Sequence, residues 1–227
     1  RQFLNYNSWN FNSPWALIEN QNYPWFRLEH PERTLRAYYT LNSNSGGTAS
    51  DSSSFVKSAN VIGTNITQGH KGNALLFNGV SDYIVATNAP HDAMSGPFTV
   101  SFWFKGTKQN GTQRFVTTWN GTGAITWIAL IAAPGGICPT QSGISFYISE
   151  DGGSSDRAYV RQCGQTYQNG QWHHFAGVFN PGQEIKLYID GVSIGVVAGN
   201  ITTVTSVKVN QQTNLYVAGG AANEYYQ

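Results

Sequence analysis

The segment 170–192 constrains the fold of this 227-residue chain more than any other part of it. Within it, Ile185, Leu187 and Ile189 alternate with polar or charged neighbours. This period of two is typical of a β-strand with one buried face. Asp190-Gly191 follows directly and favours a type I′ hairpin turn, because that turn requires positive φ at both central residues. The segment therefore predicts antiparallel strands joined by tight turns.

Composition extends this expectation to the whole chain. Charged residues make up 11% of the sequence and the formal net charge is +1, which excludes the basic footprint of a nucleic-acid or anionic-membrane binder. Aromatic residues account for 14%, with 25 glycines and one methionine. This balance favours short strands and polar turns over helices. No apolar run approaches the length of a membrane helix.

Short strand patterns recur from residue 35 onward, separated by turn residues and by two longer polar connections at 42–73 and 106–113. Regularly spaced short strands predict a β-sandwich. The predicted strands are 35–41, 74–78, 82–87, 98–105, 114–119, 126–133, 144–149, 157–162, 172–180, 184–190, 192–197 and 214–218.

Four segments in order carry a family resemblance. Residues 35–41 precede Asp51-Ser52-Ser53, then "GNALLFNGVSDYI" at 72–84 and "FTVSFWFK" at 98–105, and the hairpin segment described above follows. Together they resemble the laminin-G-like, concanavalin A-like jelly-roll family over roughly residues 35–220. The resemblance implies an all-β sandwich of two antiparallel sheets. It also implies a binding module without catalysis, because most members bind rather than react.

The first 30 residues differ from this body. Residues 1–30 are rich in aromatic residues and asparagine, and the charge-dense, Pro-containing stretch 29–33 is the expected linker. We therefore expect an N-terminal β segment at 1–30 and the jelly-roll domain at 31–227. The segment resembles the end of a β-solenoid repeat; the alternative is a strand pair that caps the edge of the sandwich.

The ends of the chain raise a further hypothesis. The sequence starts at Arg1 without a signal peptide, which we interpret as a piece of a larger precursor. The family's usual final strand, after 214–218, is also not found. A neighbouring copy could then supply Asn5–Ile18 by strand addition, as other chains do at sheet edges. The alternative is that residues 1–30 fold back on their own sandwich.

Cys138 and Cys163 are the two cysteines of the chain. A hairpin folded about residues 151–152 brings them to its open end, roughly opposite one another. A disulfide there would be worth about 3–4 kcal/mol by the chain-entropy estimate. The alternative is a pair of free buried thiols. Together with the charge-poor composition, the cysteines favour an extracellular location.

Two motifs that suggest catalysis or metal binding fail on geometric grounds, and a third is not found. Gly191–Gly195 matches a nucleophile elbow, but Ser193 lies in a strand and lacks the required following helix. His173 and His174 are adjacent in a strand, so they point to opposite faces and cannot close on one ion. The paired carboxylates of a glycosidase strand are also missing from the sequence. A hydrolase is therefore ranked third, after a binding module and a structural subunit.

Calcium is the cofactor that the resemblance allows. In many relatives an aspartate at the position of Asp51 joins loop carbonyls and an aspartate of the final strand, which matches the oxygen ligands that calcium prefers. The final-strand partner is absent from this chain. The alternative is that Asp51 caps a turn.

Glycan binding would use flat aromatic side chains beside amides. Trp103 and Trp172 lie in predicted strands and are expected in the core. The candidate ligand-binding residues, which flank predicted turns, are Trp119, Asn120, Trp127 and Tyr167. Candidate N-glycosylation sequons begin at Asn65, Asn110, Asn120 and Asn200.

The leading hypothesis is a non-catalytic extracellular binding or adhesion module that recognises a glycan or another surface polymer. The alternative, from another class, is a structural subunit of an extracellular fibre or surface layer that assembles by strand addition. Neither hypothesis names a ligand.

Overall fold

The computed structural model describes residues 35–87, 96–107, 111–118, 127–132, 134, 137–150, 157–207, 214–219 and 226, with the backbone of 15–17 and 24–26. Its regular structure is almost entirely β, apart from a short 3₁₀ turn at Ser45–Gly47. No helix among the described residues is long and apolar enough to cross a bilayer.

The described strands are short and follow one another closely along the chain. They are β1 (Trp15–Leu17), β2 (Pro24–Phe26), β3 (Thr48–Ala49), β4 (Ala59–Ile62), β5 (Asn65–Gln68), β6 (Asn73–Leu76), β7 (Tyr83–Ala86), β8 (Phe98–Phe104), β9 (Thr112–Thr117), β10 (Trp127–Ala132), β11 (Gly143–Ser149), β12 (Arg157–Cys163), β13 (His173–Asn180), β14 (Glu184–Ile189), β15 (Val192–Ile194), β16 (Val196–Gly199) and β17 (Leu215–Val217).

Two antiparallel sheets form the predicted sandwich. The larger has nine strands in the order β16-β12-β11-β10-β9-β17-β7-β4-β3, and the smaller has four in the order β15-β14-β13-β8. Two further pairs, β5-β6 and β1-β2, stand outside these sheets. Consecutive strands pair from β9 to β12 and from β13 to β15, whereas β17 inserts between β9 and β7. The all-β jelly-roll class predicted from the sequence is confirmed.

An aromatic core fills the space between the sheets. Phe102 and Phe175, on neighbouring strands of the smaller sheet, stack with ring centroids 4.8 Å apart. Phe146 of the larger sheet meets Phe175 edge-to-face at 6.3 Å. A Cβ added to Gly177 would lie 2.6 Å from Cγ of Phe146, so the glycine leaves the space that the phenylalanine ring of the opposite sheet occupies. Fully burying each phenylalanine stabilises the sandwich by about 1.5–3 kcal/mol.

The predicted type I′ turn is present. Asp190 has φ of 52° and Gly191 has φ of 80°, and Ile189 pairs with Val192 across the two-residue loop. The strand predicted at 192–197 is interrupted at Gly195, where a φ of 91° carries the chain from the smaller sheet to the larger one. Strands β3, β4 and β5 lie in the stretch that the sequence analysis assigned to a polar connection. Each has at most four residues, which is too short for a clear alternation of apolar and polar side chains.

Two segments of special interest in the sequence analysis are partly described. The backbone of β1 pairs with that of β2; the remainder of Asn5–Ile18 lies outside the described residues. Near the other end, Tyr226 is buried against Phe115, with ring centroids 4.7 Å apart. Its N–H donates to the carbonyl of Ala218. Tyr226 therefore lies in the core beside the end of β17.

Candidate functional site

The outer face of the β11–β12 hairpin carries a row of aromatic and cationic side chains. Ile144, Phe146 and Ile148 of β11 point into the core, so the alternate residues face outward. The register pairs Tyr147 with Tyr159. On β12 the outward positions are held by Arg157, Tyr159 and Arg161, which alternate with buried Ala158 and Val160.

The geometry of this row is loose stacking. The rings of Tyr147 and Tyr159 are nearly parallel at 16°, with centroids 6.1 Å apart. The guanidinium carbon of Arg157 lies 5.9 Å from the centre of the Tyr147 ring. The guanidinium carbon of Arg161 lies 5.5 Å from the centre of the Tyr159 ring. These separations are within the range of cation–π contact, and they leave both rings half-buried rather than covered.

A groove of about 280 Å³ runs beside the row. Its apolar side is Leu130 of β10 and Ile137, which pack with Tyr147 in a small cluster on the outer face of the sheet. Arg161 donates from Nη1 to the carbonyl of Ile137 at 2.9 Å, which ties the strand to the loop that forms the wall. We call this the tyrosine groove; its lining residues are Leu130, Ile137, Ser145, Tyr147, Arg157, Tyr159 and Arg161.

A disulfide holds the same wall. Cys138, next to Ile137, is bonded to Cys163 at the end of β12, with Cα atoms 5.9 Å apart. The predicted pairing is confirmed, and the described cysteines leave no free thiol. The alternative of two free thiols is therefore wrong. The bond attaches the wall of the tyrosine groove to the strand that carries its arginines.

A second aromatic patch lies on the outer face of the smaller sheet. Trp103 stacks against His70 with centroids 3.7 Å apart and an interplanar angle of 10°. His174 packs beside Trp103 at 5.1 Å, and Trp172 meets His70 at its edge. Trp103 is 41% exposed, so its predicted place in the core is wrong. It alternates with half-buried Phe102 and buried Phe104, which pack in the core, and therefore points outward. The imidazole of His70 covers one face of this indole.

The two adjacent histidines point to opposite faces, as predicted. His173 lies on the inward side near Phe104, with Nδ1 2.7 Å from Oδ2 of Asp190 and Nε2 3.1 Å from Oδ1 of Asn169. Tyr167 meets the His173 ring edge-on at 5.5 Å. Burial, and then the charge of Asp190, raise the pKa of Tyr167. Tyr167 is half-buried in this cluster and is not part of the tyrosine groove.

Asp51 is buried at the centre of a turn. Its Oδ1 accepts from the N–H groups of Tyr38 (2.8 Å) and Ser53 (2.9 Å). Its Oδ2 accepts from the Ser53 hydroxyl (2.8 Å) and the Lys57 N–H (2.9 Å). Burial acts to raise the pKa of Asp51, but these hydrogen bonds outweigh it and the net pKa is lowered.

Four donors use the acceptor capacity of both Asp51 oxygens. The N–H and O–H hydrogens that point at the carboxylate stabilise the negative charge of Asp51 itself. A calcium ion does not fit there, because it would need the oxygens that these hydrogens already occupy. The described residues also contain no group of three or more His, Cys, Asp or Glu side chains that could hold a metal. The arrangement favours the turn-capping alternative for Asp51.

The remaining predicted site residues have different outcomes. Trp127 is 3% exposed and packs against Phe98 in the core, with centroids 6.0 Å apart. The prediction that it offers a surface for a sugar is therefore wrong, because strand β10 turns this side chain inward. Trp119, Asn120 and the sequon asparagine Asn110 lie outside the described residues.

Two of the predicted sequons lie on the described surface. Asn65 is exposed at the start of β5. Asn200 is also exposed, and its Oδ1 accepts from the hydroxyl of Thr202 at 2.7 Å. Glycosylation at either position stays a prediction.

The sequence analysis missed the four residues that build the row. The signal was nevertheless present, because Arg157, Tyr159 and Arg161 alternate with apolar residues along one strand. The contribution of Tyr147 depends on the register across the hairpin, which places it opposite Tyr159.

Comparison with known families supports the architecture. The model of the concanavalin A-like lectin/glucanases superfamily matches residues 78–226, which is more than half of the chain. The comparison with curated protein sequences gave no match.

Solved structures with a similar fold include three structures of two toxin binding domains. The binding domain of Paraclostridial Mosquitocidal Protein 1 has a TM-score of 0.63 at 15% identity, with 85% of this chain and 46% of that chain covered. The binding domain of Botulinum neurotoxin DC in complex with rat synaptotagmin II has a TM-score of 0.51 at 15% identity, with 80% of this chain and 43% of that chain covered.

The same neurotoxin domain in complex with SialylT also has a TM-score of 0.51 at 15% identity, with 77% of this chain and 42% of that chain covered. The chain thus spans less than half of each of these three structures. At such identities the similarity shows the fold.

Proposed function

The chain belongs to the concanavalin A-like lectin/glucanase superfamily, and from this premise we propose that it is a non-catalytic extracellular module that binds a glycan in the tyrosine groove. The observation that carries the proposal is the paired tyrosines Tyr147 and Tyr159, half-buried on an outer sheet face beside a groove with polar edges. Aromatic rings pack against the C–H faces of sugars while neighbouring polar groups bond their hydroxyls.

Two further features support this proposal over an enzyme. The described lining of the tyrosine groove contains no carboxylate, whereas glycoside hydrolysis requires two acidic side chains about 5–9.5 Å apart. The similar solved structures are described as binding domains. The disulfide is typical of secreted proteins and supports an extracellular location.

The experiment is a glycan array followed by calorimetry on the best ligand. We expect Tyr159→Ala to weaken binding at least about tenfold, because it removes half of the aromatic surface. Tyr38→Ala is the matched control, since Tyr38 is an exposed tyrosine (38%) elsewhere on the domain. Equal affinities for wild type and Tyr159→Ala, or no ligand retained by the wild type, would contradict the proposal.

Self-assembly by strand addition is the second candidate function. Strand β16 forms an edge of the larger sheet, and its Val196 and Val197 are 73% and 49% exposed. Edges that carry neither charge nor proline are open to pairing with another chain. Light scattering would test this idea, comparing wild type with Val197→Lys and with a chain lacking residues 1–28. A parent protein that stays monomeric at high concentration would exclude it.

A further inference from the structure

The tyrosine groove combines two cations with an aromatic pair and lacks negative charge among its described lining residues. We infer that its ligand is an anionic glycan, one that carries carboxylate or sulfate groups. This inference rests on the proposed function and adds the chemical class of the ligand.

The first argument is the placement of charge. Arg157 and Arg161 are separated by four positions on strand β12, which places their Cα atoms about 13 Å apart with Tyr159 between them. An anionic group on either side of a sugar stacked at Tyr159 would therefore meet a guanidinium. The chain as a whole has 13 basic and 12 acidic residues, so this is a local concentration of charge rather than a generally basic surface.

The second argument is that no described carboxylate occupies the guanidinium groups. Within the described chain, neither Arg157 nor Arg161 forms an ion pair with a carboxylate. Arg157 is exposed. Arg161 uses one nitrogen for the Ile137 carbonyl, which orients the fork and leaves its other donors for a ligand. Planar guanidinium groups bind carboxylate and sulfate oxygens through paired, charge-assisted hydrogen bonds.

The third argument is the balance of donors and acceptors. The hydroxyl of Ser145 donates to the Val160 carbonyl at 2.9 Å, so its proton is already used. The two guanidinium groups carry donors and no acceptors. Neutral sugar hydroxyls need partners of both kinds, whereas carboxylate and sulfate groups accept hydrogen bonds without donating any. The hydroxyls of Tyr147 and Tyr159 and the oxygen of Ser145 can still accept hydrogen bonds, so the preference for an anion follows from the two charged donor groups.

Matched polymers test the charge and its source. Oligogalacturonate would be compared with its neutral methyl ester, and dextran sulfate with dextran, by calorimetry at low and high salt. We expect the acidic member of at least one pair to bind about tenfold or more tightly than its neutral counterpart, with the difference shrinking at high salt. The pair that shows the difference identifies carboxylate or sulfate as the preferred group.

Variants then assign the preference to the groove. We expect Arg157→Gln to reduce affinity for the acidic polymer about tenfold, Arg157→Lys to restore part of it, and Arg157→Gln/Arg161→Gln to abolish the difference between acidic and neutral ligands. Arg36→Gln is the matched control, because Arg36 also lies over an aromatic ring, Phe55, outside the groove. Thermal melting would verify that each variant is folded. If Arg161→Gln disturbs the loop, the test depends on Arg157→Gln alone.

The outcomes separate this inference from the proposed function. Equal binding of acidic and neutral polymers, with loss in Tyr159→Ala but not in Arg157→Gln, would overturn the anionic class and leave glycan binding intact. Equally tight, salt-sensitive binding of a single-stranded DNA oligonucleotide would show general attraction to polyanions and would also overturn the inference. Failure of every glycan to bind would count against the proposed function itself.

Discussion

The stability of this domain should fall when the pH drops from about 7.5 to about 5, because His174 is buried in its neutral form. Its ring packs beside Trp103 on the outer face of the smaller sheet, and its backbone N–H donates to Oδ1 of Asp190 at 2.8 Å. Burial lowers the pKa of His174 from 6.5 to about 4; the Asp190 carboxylate opposes this effect, and nearby His70 adds to it.

The sign and size follow from the two pKa values. The unfolded chain takes up the proton below about pH 6.5, while the folded protein resists it until about pH 4, so acid favours unfolding between those limits. The full difference corresponds to about 3 kcal/mol, of which about 2 kcal/mol is lost by about pH 5. The lowered pKa of Asp51, whose ordinary value is 3.8, acts below this window.

Urea unfolding of wild type, His174→Gln and His70→Gln at both pH values would measure the effect. His174→Gln should lose most of the pH dependence, whereas His70→Gln should keep most of it, because burial is the larger cause. A wild-type protein equally stable at both pH values would refute the reasoning. A pH dependence that survives in His174→Gln and disappears in His70→Gln would show that the neighbouring imidazole, and not burial, lowers the pKa.

Three further predictions concern the framework. Asp51→Asn should lower stability by about 2–3 kcal/mol, equally in calcium and in chelator, because the amide cannot accept all four hydrogen bonds; a chelator-induced drop in the wild-type melting temperature that the variant abolishes would favour a calcium site instead. Replacing Cys138 and Cys163 with serine should lower the free energy of unfolding by about 3.5 kcal/mol, as the chain-entropy estimate gives for a separation of 25 residues. The same change should weaken glycan binding. Unchanged affinity would mean that the wall of the tyrosine groove keeps its position without the disulfide. Gly177→Ala should destabilise the protein by about 1–3 kcal/mol in chemical denaturation, because the new Cβ meets Phe146. Adding Phe146→Leu should partly offset this loss. Unchanged stability of Gly177→Ala would show that the sheets can separate slightly.

Local pattern was sufficient for much of the architecture. Alternation in β14 predicted its buried face, and Asp190-Gly191 predicted a two-residue turn with positive φ at both positions, because few other residues adopt that conformation without strain. The disulfide between Cys138 and Cys163 followed from hairpin geometry. These features depend on neighbours along the chain or across one turn, and such contacts can be inferred from residue order.

The two tryptophans Trp103 and Trp127 show where local pattern fails. Both lie in apolar strands, yet the first faces solvent and the second is buried, the reverse of the expectation. Every residue of β10 is buried, because one side meets the core and the other meets the cluster around Ile137 and Tyr147. Alternation tells which residues share a face, but which face meets the second sheet depends on how the sheets stack.

Residue order in this chain therefore determined most of the strands, the Asp190-Gly191 turn and the family. The candidate site was decided by tertiary structure, because Tyr147 meets Tyr159 through the register of a hairpin and the Ile137 wall reaches Arg161 through a loop held by the disulfide. A one-residue change in that register would turn every outward side chain of the strand toward the core. Burying the two arginines in that way would remove their charges from water without partners, and this penalty is what keeps the groove on the outside.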